Sequence, residues 1–211
     1  MRASPQPRPV AAMSPPVGLI PLASDDGAMP PHRIDGERLR LRAMRASDAA
    51  GGYHRWMHDP EVLRFTESRA GPYGVDSLTA YIAEKTADGR HLFLAIIVRA
   101  TGAHIGNVKV GPVDRYHRLA DLGIIIGEKD HWGRGFATEA IALTTAHCFD
   151  RLGLHKITAG CYAVNRGAVR AFEKAGFEIE GWRRNHCLYD GAYVDLIQLG
   201  RVNPAHDGAR R

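Results

Sequence analysis

The sequence predicts a mixed α/β (α+β) domain, with about six to seven strands in one central sheet and helices on both faces. The predicted order of elements is strand, two helices, three consecutive strands, helix, strand, helix and a final hairpin. Because the three consecutive strands form a meander, the sheet cannot be a purely parallel, doubly wound one. Hydrophobic residues make up 45% and charged residues 24% of the 211 residues, which is ordinary for a folded globular protein.

The first half of the chain supplies a strand, two helices and the meander. Leucine and arginine alternate in the first strand, which predicts one solvent-facing side. Ser47 or Asp48 can cap the first helix, Asp59-Pro60 stops it, and Gly89 ends the second helix. The elements of this half are predicted at 36–44, 47–57, 75–88, 91–98, 103–111 and 119–126.

The second half of the chain supplies two helices, a strand and a hairpin. Apolar residues fall three or four apart from Ala137 to Leu152, so they line one face of a helix. Gly176 is suited to end a second, shorter helix, and Asp190-Gly191 is suited to the turn of the hairpin. The elements of this half are predicted at 137–152, 155–162, 165–177 and 178–202.

The two ends of the chain differ in composition from the region between them. Residues 1–33 are rich in proline and are predicted to be a disordered leader, 34–203 to be the folded domain, and 204–211 to be a polar tail. Prolines interrupt the one candidate export signal, and no stretch approaches the ~20 apolar residues of a membrane span. We therefore expect a cytoplasmic protein without a membrane partner.

Charge and cysteine content restrict the classes of ligand. A net charge of +5 and a pI near 9.3 suit a polyanionic ligand. Because the arginines are scattered, a phosphate-bearing small molecule explains the charge as well as a nucleic acid does, and no nucleic-acid partner is predicted. Cys148, Cys161 and Cys187 are widely spaced and no H-E-x-x-H pattern occurs, so neither a disulfide framework nor a metal site is expected.

A glycine-containing turn at 130–140, "DHWGRGFATEA", comes directly after a predicted strand and opens a predicted helix. The first N–H groups of a helix are unpaired and lie at the positive end of its dipole, so they can bind phosphate. Gly133 and Gly135 remove side chains that would obstruct a ligand. The turn matches neither a Walker A loop nor a Rossmann fingerprint, which would need glycine or alanine where Thr138 stands. A tight turn without a ligand is the alternative.

Several motifs together resemble a known family. The strand "LGIIIG", the turn "HWGRGFATEA", the strand "KITAGCYAVN", and the segments "NRGAVRAFEKAGF" and "EIEG" are similar to the acetyl-CoA-dependent N-acetyltransferases of the GNAT superfamily. The RimJ/RimL branch is the most similar, and the resemblance covers about residues 34–203. It implies the GNAT fold and acetyl-CoA as cosubstrate.

The resemblance also implies how the cosubstrate is held. The turn would cradle the pyrophosphate of CoA by backbone N–H groups, and the end of the third meander strand would hydrogen-bond the pantetheine arm. Asn165 would bond the pantetheine or, equally well, cap the helix that starts beside it. The implied CoA-binding residues are Ile125, Ile126, Trp132, Gly133, Arg134, Gly135, Phe136, Ala137, Thr138, Asn165, Phe172 and Lys174.

Catalytic residues are less well specified by the resemblance. Glu180 matches a glutamate of RimL-like enzymes and is the predicted general base, although it could instead be an exposed carboxylate that pairs with a nearby arginine. Two groups that protonate the thiolate in relatives are absent, because Ala168 and Phe172 stand at those positions. Tyr189 is the predicted replacement, with water, Tyr162, Tyr193 or unaided departure of the thiolate as alternatives.

Three functions are compatible with these patterns: acetylation of a protein N-terminus, acetylation of a small amine such as an amino sugar, polyamine or antibiotic, and non-catalytic binding of acyl-CoA. Dimers are common among relatives, so a homodimer is a candidate assembly. Acceptor recognition is expected from Tyr53, Trp56, Phe65, Trp182, His186, Tyr189 and Asp195.

Overall fold

The structure is a computed structural model that describes residues 33–71 and 73–205. The predicted leader therefore lies outside the described residues except for Arg33, which belongs to the first strand rather than to the leader. Of the predicted polar tail, only Pro204 and Ala205 are described.

Within residues 33–71 and 73–205, eight strands form one mixed sheet, so the prediction of six to seven is one strand too low. The missed strand is the first one, whose three residues are too few to show a periodic pattern. The sheet order is β1-β2-β3-β4-β5-β6-β8-β7, and β5 with β6 is the parallel pair. The strands are β1 (Arg33–Asp35), β2 (Leu39–Ala43), β3 (Leu92–Val98), β4 (His104–Val110), β5 (Leu119–Ile126), β6 (Lys156–Tyr162), β7 (Glu178–Tyr189) and β8 (Ala192–Val202).

Where one helix is predicted at 47–57, the structure has a single short α-helix at the end of that segment, and a second short helix follows at Pro60–Leu63. The backbone of Gly51 is not helical, with φ −94° and ψ −136°, so the segment before Trp56 is a series of short turns. Asp59 does not only stop a helix: its Oδ1 accepts a hydrogen bond from the N–H of Glu61 and caps the next helix, with Pro60 in the first turn. The helices are α1 (His54–Trp56), α2 (Pro60–Leu63), α3 (Val75–Ala87), α4 (Phe136–Asp150) and α5 (Arg166–Lys174).

Strand β3 shows how the sheet is covered on both faces, as predicted. Leu94 and Ile96 point into a core shared with α4 and α5, whereas Phe93 and Ala95 point into a core shared with α1, α2 and α3. Alternate residues of β3 are thus buried on opposite faces, which explains why its sequence is apolar without interruption.

A gap opens in the sheet between β5 and β6. The two strands pair only from Leu119 to Asp121 on β5, opposite Lys156 to Thr158 on β6. β6 continues to pair with β8 as far as Tyr162, so its far end diverges from β5. The backbone edges at the ends of both strands are therefore available to a ligand, and this gap positions the site.

Candidate active site

Two cavities of about 710 and 780 Å³ meet at the gap between β5 and β6. The first, here called the turn cavity, includes the turn at 132–138 in its wall, and the second, the aromatic cavity, contains most of the tyrosines of this region. Volumes of this size suit small-molecule ligands. The residues that line both cavities are Phe65, Thr66, Ile124, Ile125, Asn165, Ala168 and Phe172.

The glycine turn has the backbone geometry that a phosphate site requires. Gly133 and Gly135 have φ values of +69° and +78°, a left-handed conformation that side chains other than glycine rarely adopt. A Cβ built on Gly133 would meet no atom within 4 Å, so the space above it is open. Phe136, Ala137 and Thr138 form the first turn of α4 and line the turn cavity together with both glycines.

Trp132 fixes this turn against the end of β5. Its indole Nε1 donates a hydrogen bond of 2.7 Å to the carbonyl oxygen of Ile126. The glycine turn and the strand edge at the gap are therefore held as one unit. Trp132 also lines the turn cavity, as the resemblance implies.

The backbone groups of β5 that face the gap are those of Ile124 and Ile126 rather than Ile125. The N–H of Gly111 bonds the carbonyl of Asp121, and the N–H of Gly127 bonds the carbonyl of Ile105, so odd-numbered residues of β5 point toward β4. By the alternation of an antiparallel pair, the backbone of Ile125 also points to β4. Its side chain does line both cavities.

A row of basic side chains faces the turn cavity from α5. Arg166, Arg170 and Lys174 are four residues apart, so they share one face of the helix, and all three line the cavity. Only Lys174 is predicted from the resemblance, although the spacing itself could have revealed the other two. Arg134, by contrast, is not among the lining residues, and its guanidinium packs 5.5 Å from the ring of Phe136.

Glu139 in the first turn of α4 anchors the turn to β2. Its carboxylate accepts hydrogen bonds from the backbone N–H groups of Arg38 and Leu39 and from Arg38 Nε. The guanidinium of Arg38 also donates to the carbonyl of Arg134, at 2.9 Å. This network holds the start of α4 beside the sheet.

Asn165 and Phe172 occupy the boundary between the cavities. Oδ1 of Asn165 accepts a hydrogen bond of 3.2 Å from the N–H of Ala168, so Asn165 caps α5, which was one of its two predicted roles. Phe172 packs edge to face against Phe177 at 5.0 Å. Both Asn165 and Phe172 still line the two cavities.

A tyrosine and a glutamate face each other in the aromatic cavity. The hydroxyl of Tyr162, at the end of β6, donates a hydrogen bond of 2.7 Å to Glu67 Oε1. Burial, and then the bond to Glu67, raise the pKa of Tyr162 to about 12. The tyrosine therefore stays protonated at neutral pH. Glu67 was not predicted from the sequence, since no local pattern distinguishes it.

The floor of the aromatic cavity is polar. Asn107 and Lys109 on β4 lie beside Asp121 and Gly123 on β5, and all four line the cavity. Burial raises the pKa of Asp121, although a hydrogen bond of 3.0 Å from Thr158 Oγ1 opposes that shift. Gly123 leaves space, because a Cβ built on it would meet no atom within 4 Å.

Glu180 and Tyr189, the predicted catalytic residues, lie outside both cavity walls. The carboxylate of Glu180 is paired through both oxygens with Lys156 Nζ, at 2.6 and 2.7 Å, and its side chain is 38% exposed. The structure thus gives Glu180 an ion pair, although with a lysine rather than the arginine considered above. Tyr189 stacks on Phe65 at 5.0 Å and so supports the cavity wall from behind. Their catalytic roles stay predictions.

The residues predicted for acceptor recognition are only partly brought together. Tyr53, Phe65 and His186 line the aromatic cavity. Trp56 is part of the core, and Asp195 pairs with Arg184 outside the cavity. The remaining two, Trp182 and Tyr189, also lie outside the wall.

The described residues contain neither a cluster of metal-ligating side chains nor a helix that could span a membrane. Within residues 33–71 and 73–205, no three His, Cys, Asp or Glu side chains lie close enough together to hold a metal ion. In the same ranges, no helix is long and apolar enough to cross a membrane.

The three cysteines are buried, and burial raises the pKa of Cys148 and Cys161 to about 12, which keeps both thiols protonated.

Comparison with known proteins identifies the family. Residues 38–178 match the family model described as "Acetyltransferase (GNAT) domain". A probable N-acetyltransferase of Bacillus subtilis, YjcK, is 40% identical over 178 residues, which cover 81% of this chain and 97% of that protein.

Solved structures agree with this assignment. RimJ of Mycobacterium smegmatis, in complex with CoA-disulfide, superposes with a TM-score of 0.74 at 23% identity, covering 84% of this chain and 90% of that one. Spermidine N-acetyltransferase of Vibrio cholerae, in complex with CoA and spermine, superposes with a TM-score of 0.72 at 25% identity, covering 80% and 97%.

The comparisons give no support to the alternative of a non-catalytic acyl-CoA-binding module. Relatives are named N-acetyltransferases, and the open glycine turn, the basic face of α5 and the gap in the sheet fit CoA as a ligand. The chain belongs to the GNAT family, and it is an N-acetyltransferase that transfers an acetyl group from acetyl-CoA to an amine.

Proposed function

We propose that acetyl-CoA lies in the turn cavity, that a small amine enters through the aromatic cavity, and that the amine attacks the thioester directly in a ternary complex. The observation that carries this proposal is the meeting of the two cavities at the gap between β5 and β6. Two substrates that approach from opposite sides reach each other there, which supplies the proximity that acyl transfer needs.

The binding of CoA follows from the charges and donors around the turn cavity. Its pyrophosphate would accept hydrogen bonds from the first N–H groups of α4, between Gly135 and Thr138. Arg166, Arg170 and Lys174 would neutralise further phosphate charge, since they line the same cavity. The pantetheine arm would pair with the exposed backbone of Ile124 and Ile126, and an N–H there would stabilise the oxyanion of the tetrahedral intermediate.

We assign the proton transfers to Glu67 and Tyr162. The amine nitrogen bonds to the thioester carbon, the carbon–sulfur bond breaks, and CoA leaves as a thiolate. Glu67 accepts the proton that the amine gives up. Once protonated, Glu67 can donate to the oxygen of Tyr162, which frees the phenol hydrogen to bond the thiolate sulfur. Because its pKa is raised to about 12, Tyr162 keeps its proton at neutral pH and so has a hydrogen to donate.

Glu67 and Glu180 are thus competing candidates for the base, and one experiment separates them. Replacing Glu67 with Gln should lower kcat about 100-fold or more, which is the contribution of a general base, whereas Glu180→Gln should change kcat by less than about threefold. Thermal stabilisation by CoA shows whether each variant still folds and binds. The opposite ranking would favour Glu180 as the base and remove Glu67 from the mechanism.

A small amine is the acceptor that the aromatic cavity favours. Its volume of 780 Å³ is that of a small-molecule pocket. Among the relatives, spermidine N(1)-acetyltransferase of Escherichia coli is 29% identical over 103 residues, and L-amino acid N-acetyltransferase AaaT of Escherichia coli is 30% identical over 104 residues. A panel of small amines and short peptides, followed by thiol release from acetyl-CoA, tests the proposal. Faster turnover of peptides would overturn it.

We also propose a homodimer formed through the final hairpin. β7 is at the edge of the sheet, and its hairpin exposes the large apolar side chains of Trp182, Leu188 and Tyr193. A second copy could cover this surface through a twofold axis. Light scattering of the wild type and of Leu188→Lys tests it, and a monomeric wild type would refute it.

A cytoplasmic location stays a prediction.

A further inference from the structure

We propose that the aromatic cavity selects an amine that also carries a carboxylate, and that Lys109 binds this carboxylate. The inference rests on the proposed function, because it takes the aromatic cavity to be the acceptor site.

Lys109 is a cation that no carboxylate of the described residues contacts directly. Its Nζ donates a hydrogen bond of 2.6 Å to the hydroxyl of Tyr81 and lies 5.3 Å from the centre of that ring. No carboxylate oxygen of residues 33–71 or 73–205 lies within 4.0 Å of this ammonium group. A half-buried charge is costly without an ionic partner, and a ligand carboxylate would supply one.

Asn107 supplies a second, independent observation. Asn107 is 4% exposed and lines the aromatic cavity, and its Oδ1 has no hydrogen-bond partner in the part of the chain that the structure describes. A buried carbonyl oxygen of this kind needs an N–H donor, and the acceptor amine carries one. Asn107 pairs with Ile125, next to the gap where the thioester would lie. The amine end of the acceptor therefore belongs near Asn107.

The spacing of the two residues fits a bifunctional ligand. Asn107 and Lys109 are two apart on β4, so they share a face and are separated by about 7 Å along the strand. Gly123 pairs with Lys109 and leaves the space above it open. An amine bonded to Asn107 could thus extend its carboxylate over Gly123 toward the flexible side chain of Lys109.

Asp121 is the carboxyl nearest to Lys109 on the neighbouring strand. It is held by Thr158 and makes no ion pair with Lys109 within 4.0 Å. Beyond that distance Lys109 still attracts the Asp121 carboxylate, which opposes the rise that desolvation gives the pKa of Asp121. The ammonium group therefore has room for a ligand carboxylate in direct contact, where the attraction is stronger than at longer range. A polyamine, in contrast, would bring an ammonium group against Lys109.

The test compares an amino acid with its carboxamide, a pair that differs only in whether the carboxyl group is charged. Because the two amines differ in pKa, each rate is corrected for the fraction of neutral amine. The wild type should acetylate the amino acid at least about tenfold more efficiently in kcat/KM, and Lys109→Met should remove that preference by slowing only the amino acid. The control is Lys85→Met, since Lys85 lies 5.5 Å from the same Tyr81 ring but does not line the cavity. Lys85→Met should keep the preference.

The failures of the two proposals are distinguishable. If the wild type acetylates carboxamides or diamines as fast as amino acids, or if Lys109→Met slows both members of a pair equally, the inference is overturned while the proposed function stands. If no small amine releases thiol from acetyl-CoA, both are overturned. Lys109→Gln, with CoA-induced thermal stabilisation as the folding check, guards against a misfolded methionine variant.

Discussion

Removal of the Glu139 carboxylate should destabilise the protein by an amount that the hydrogen bonds in the structure predict. Glu139 accepts bonds of 2.9 and 3.0 Å from the N–H groups of Arg38 and Leu39, and one of 2.8 Å from Arg38 Nε. Leu39 is fully buried, so its N–H would find no water after the change. With about 1.5 kcal/mol for each of the three bonds to a charged acceptor, Glu139→Ala should cost about 4.5 kcal/mol.

The Glu139→Gln variant separates the backbone bonds from the ion pair. In this variant, one side-chain oxygen still accepts from the two backbone N–H groups, whereas the amide nitrogen cannot accept from Arg38 Nε. The free energy of unfolding should therefore fall by about 1.5 kcal/mol. For a domain of this size, about 3 °C is lost per kcal/mol, so the melting temperature should fall by about 13 °C for Glu139→Ala and by about 4 °C for Glu139→Gln.

Differential scanning calorimetry and urea unfolding measure these changes. Glu84→Ala is the control, because Glu84 forms an exposed pair with Lys85 that should contribute less than about 1 kcal/mol. Because Arg38 also donates to the carbonyl of Arg134 in the turn, CoA affinity should fall in both Glu139 variants, and more in the alanine variant. Equal melting temperatures for the alanine and glutamine variants would refute this account of the anchor.

Two further perturbations test the core and the turn. Although burial pushes the pKa of Asp48 upward, hydrogen bonds from Arg42 and a backbone N–H outweigh it and hold that pKa below its usual value. The stabilisation by this pair is therefore complete above about pH 4 and lost as the pH falls through the lowered pKa, so the melting temperatures of wild type and Asp48→Asn should converge in acid; a constant difference down to pH 2 would contradict the ion pair. Trp132→Phe removes the bond to Ile126 and should weaken CoA binding about fivefold by calorimetry, at a cost of about 1 kcal/mol, while an unchanged affinity would show that the indole N–H does not position the turn.

Local patterns in the sequence were sufficient to predict most of the secondary structure. The predicted bounds of β5, at 119–126, are those of the structure, and the glycine turn before α4 has the left-handed backbone conformation that suits a phosphate site. Such features depend on neighbours three or four residues apart. The prediction of one helix before Trp56 was wrong, because a single non-helical residue, Gly51, interrupts a pattern that otherwise predicts a helix.

The composition of the site depended on contacts between distant parts of the chain. Glu67 and Tyr162 are 95 residues apart and form a hydrogen bond, whereas Glu180 is drawn to Lys156 on another strand. No periodicity encodes either contact, since both follow from how strands and turns pack.

The sequence by itself determined the order of elements, the open turn and, through the resemblance, the family and its cosubstrate. Only the tertiary structure decided which backbone groups of β5 face the gap and which carboxylates line the aromatic cavity. It also decided that, among the described residues, Asn107 Oδ1 has no hydrogen-bond partner at the floor of that cavity. The physical reason is that hydrogen-bond partners and charges act across space. Strand register and the divergence of β5 from β6 fix those distances, and neither can be predicted from any short stretch of the sequence.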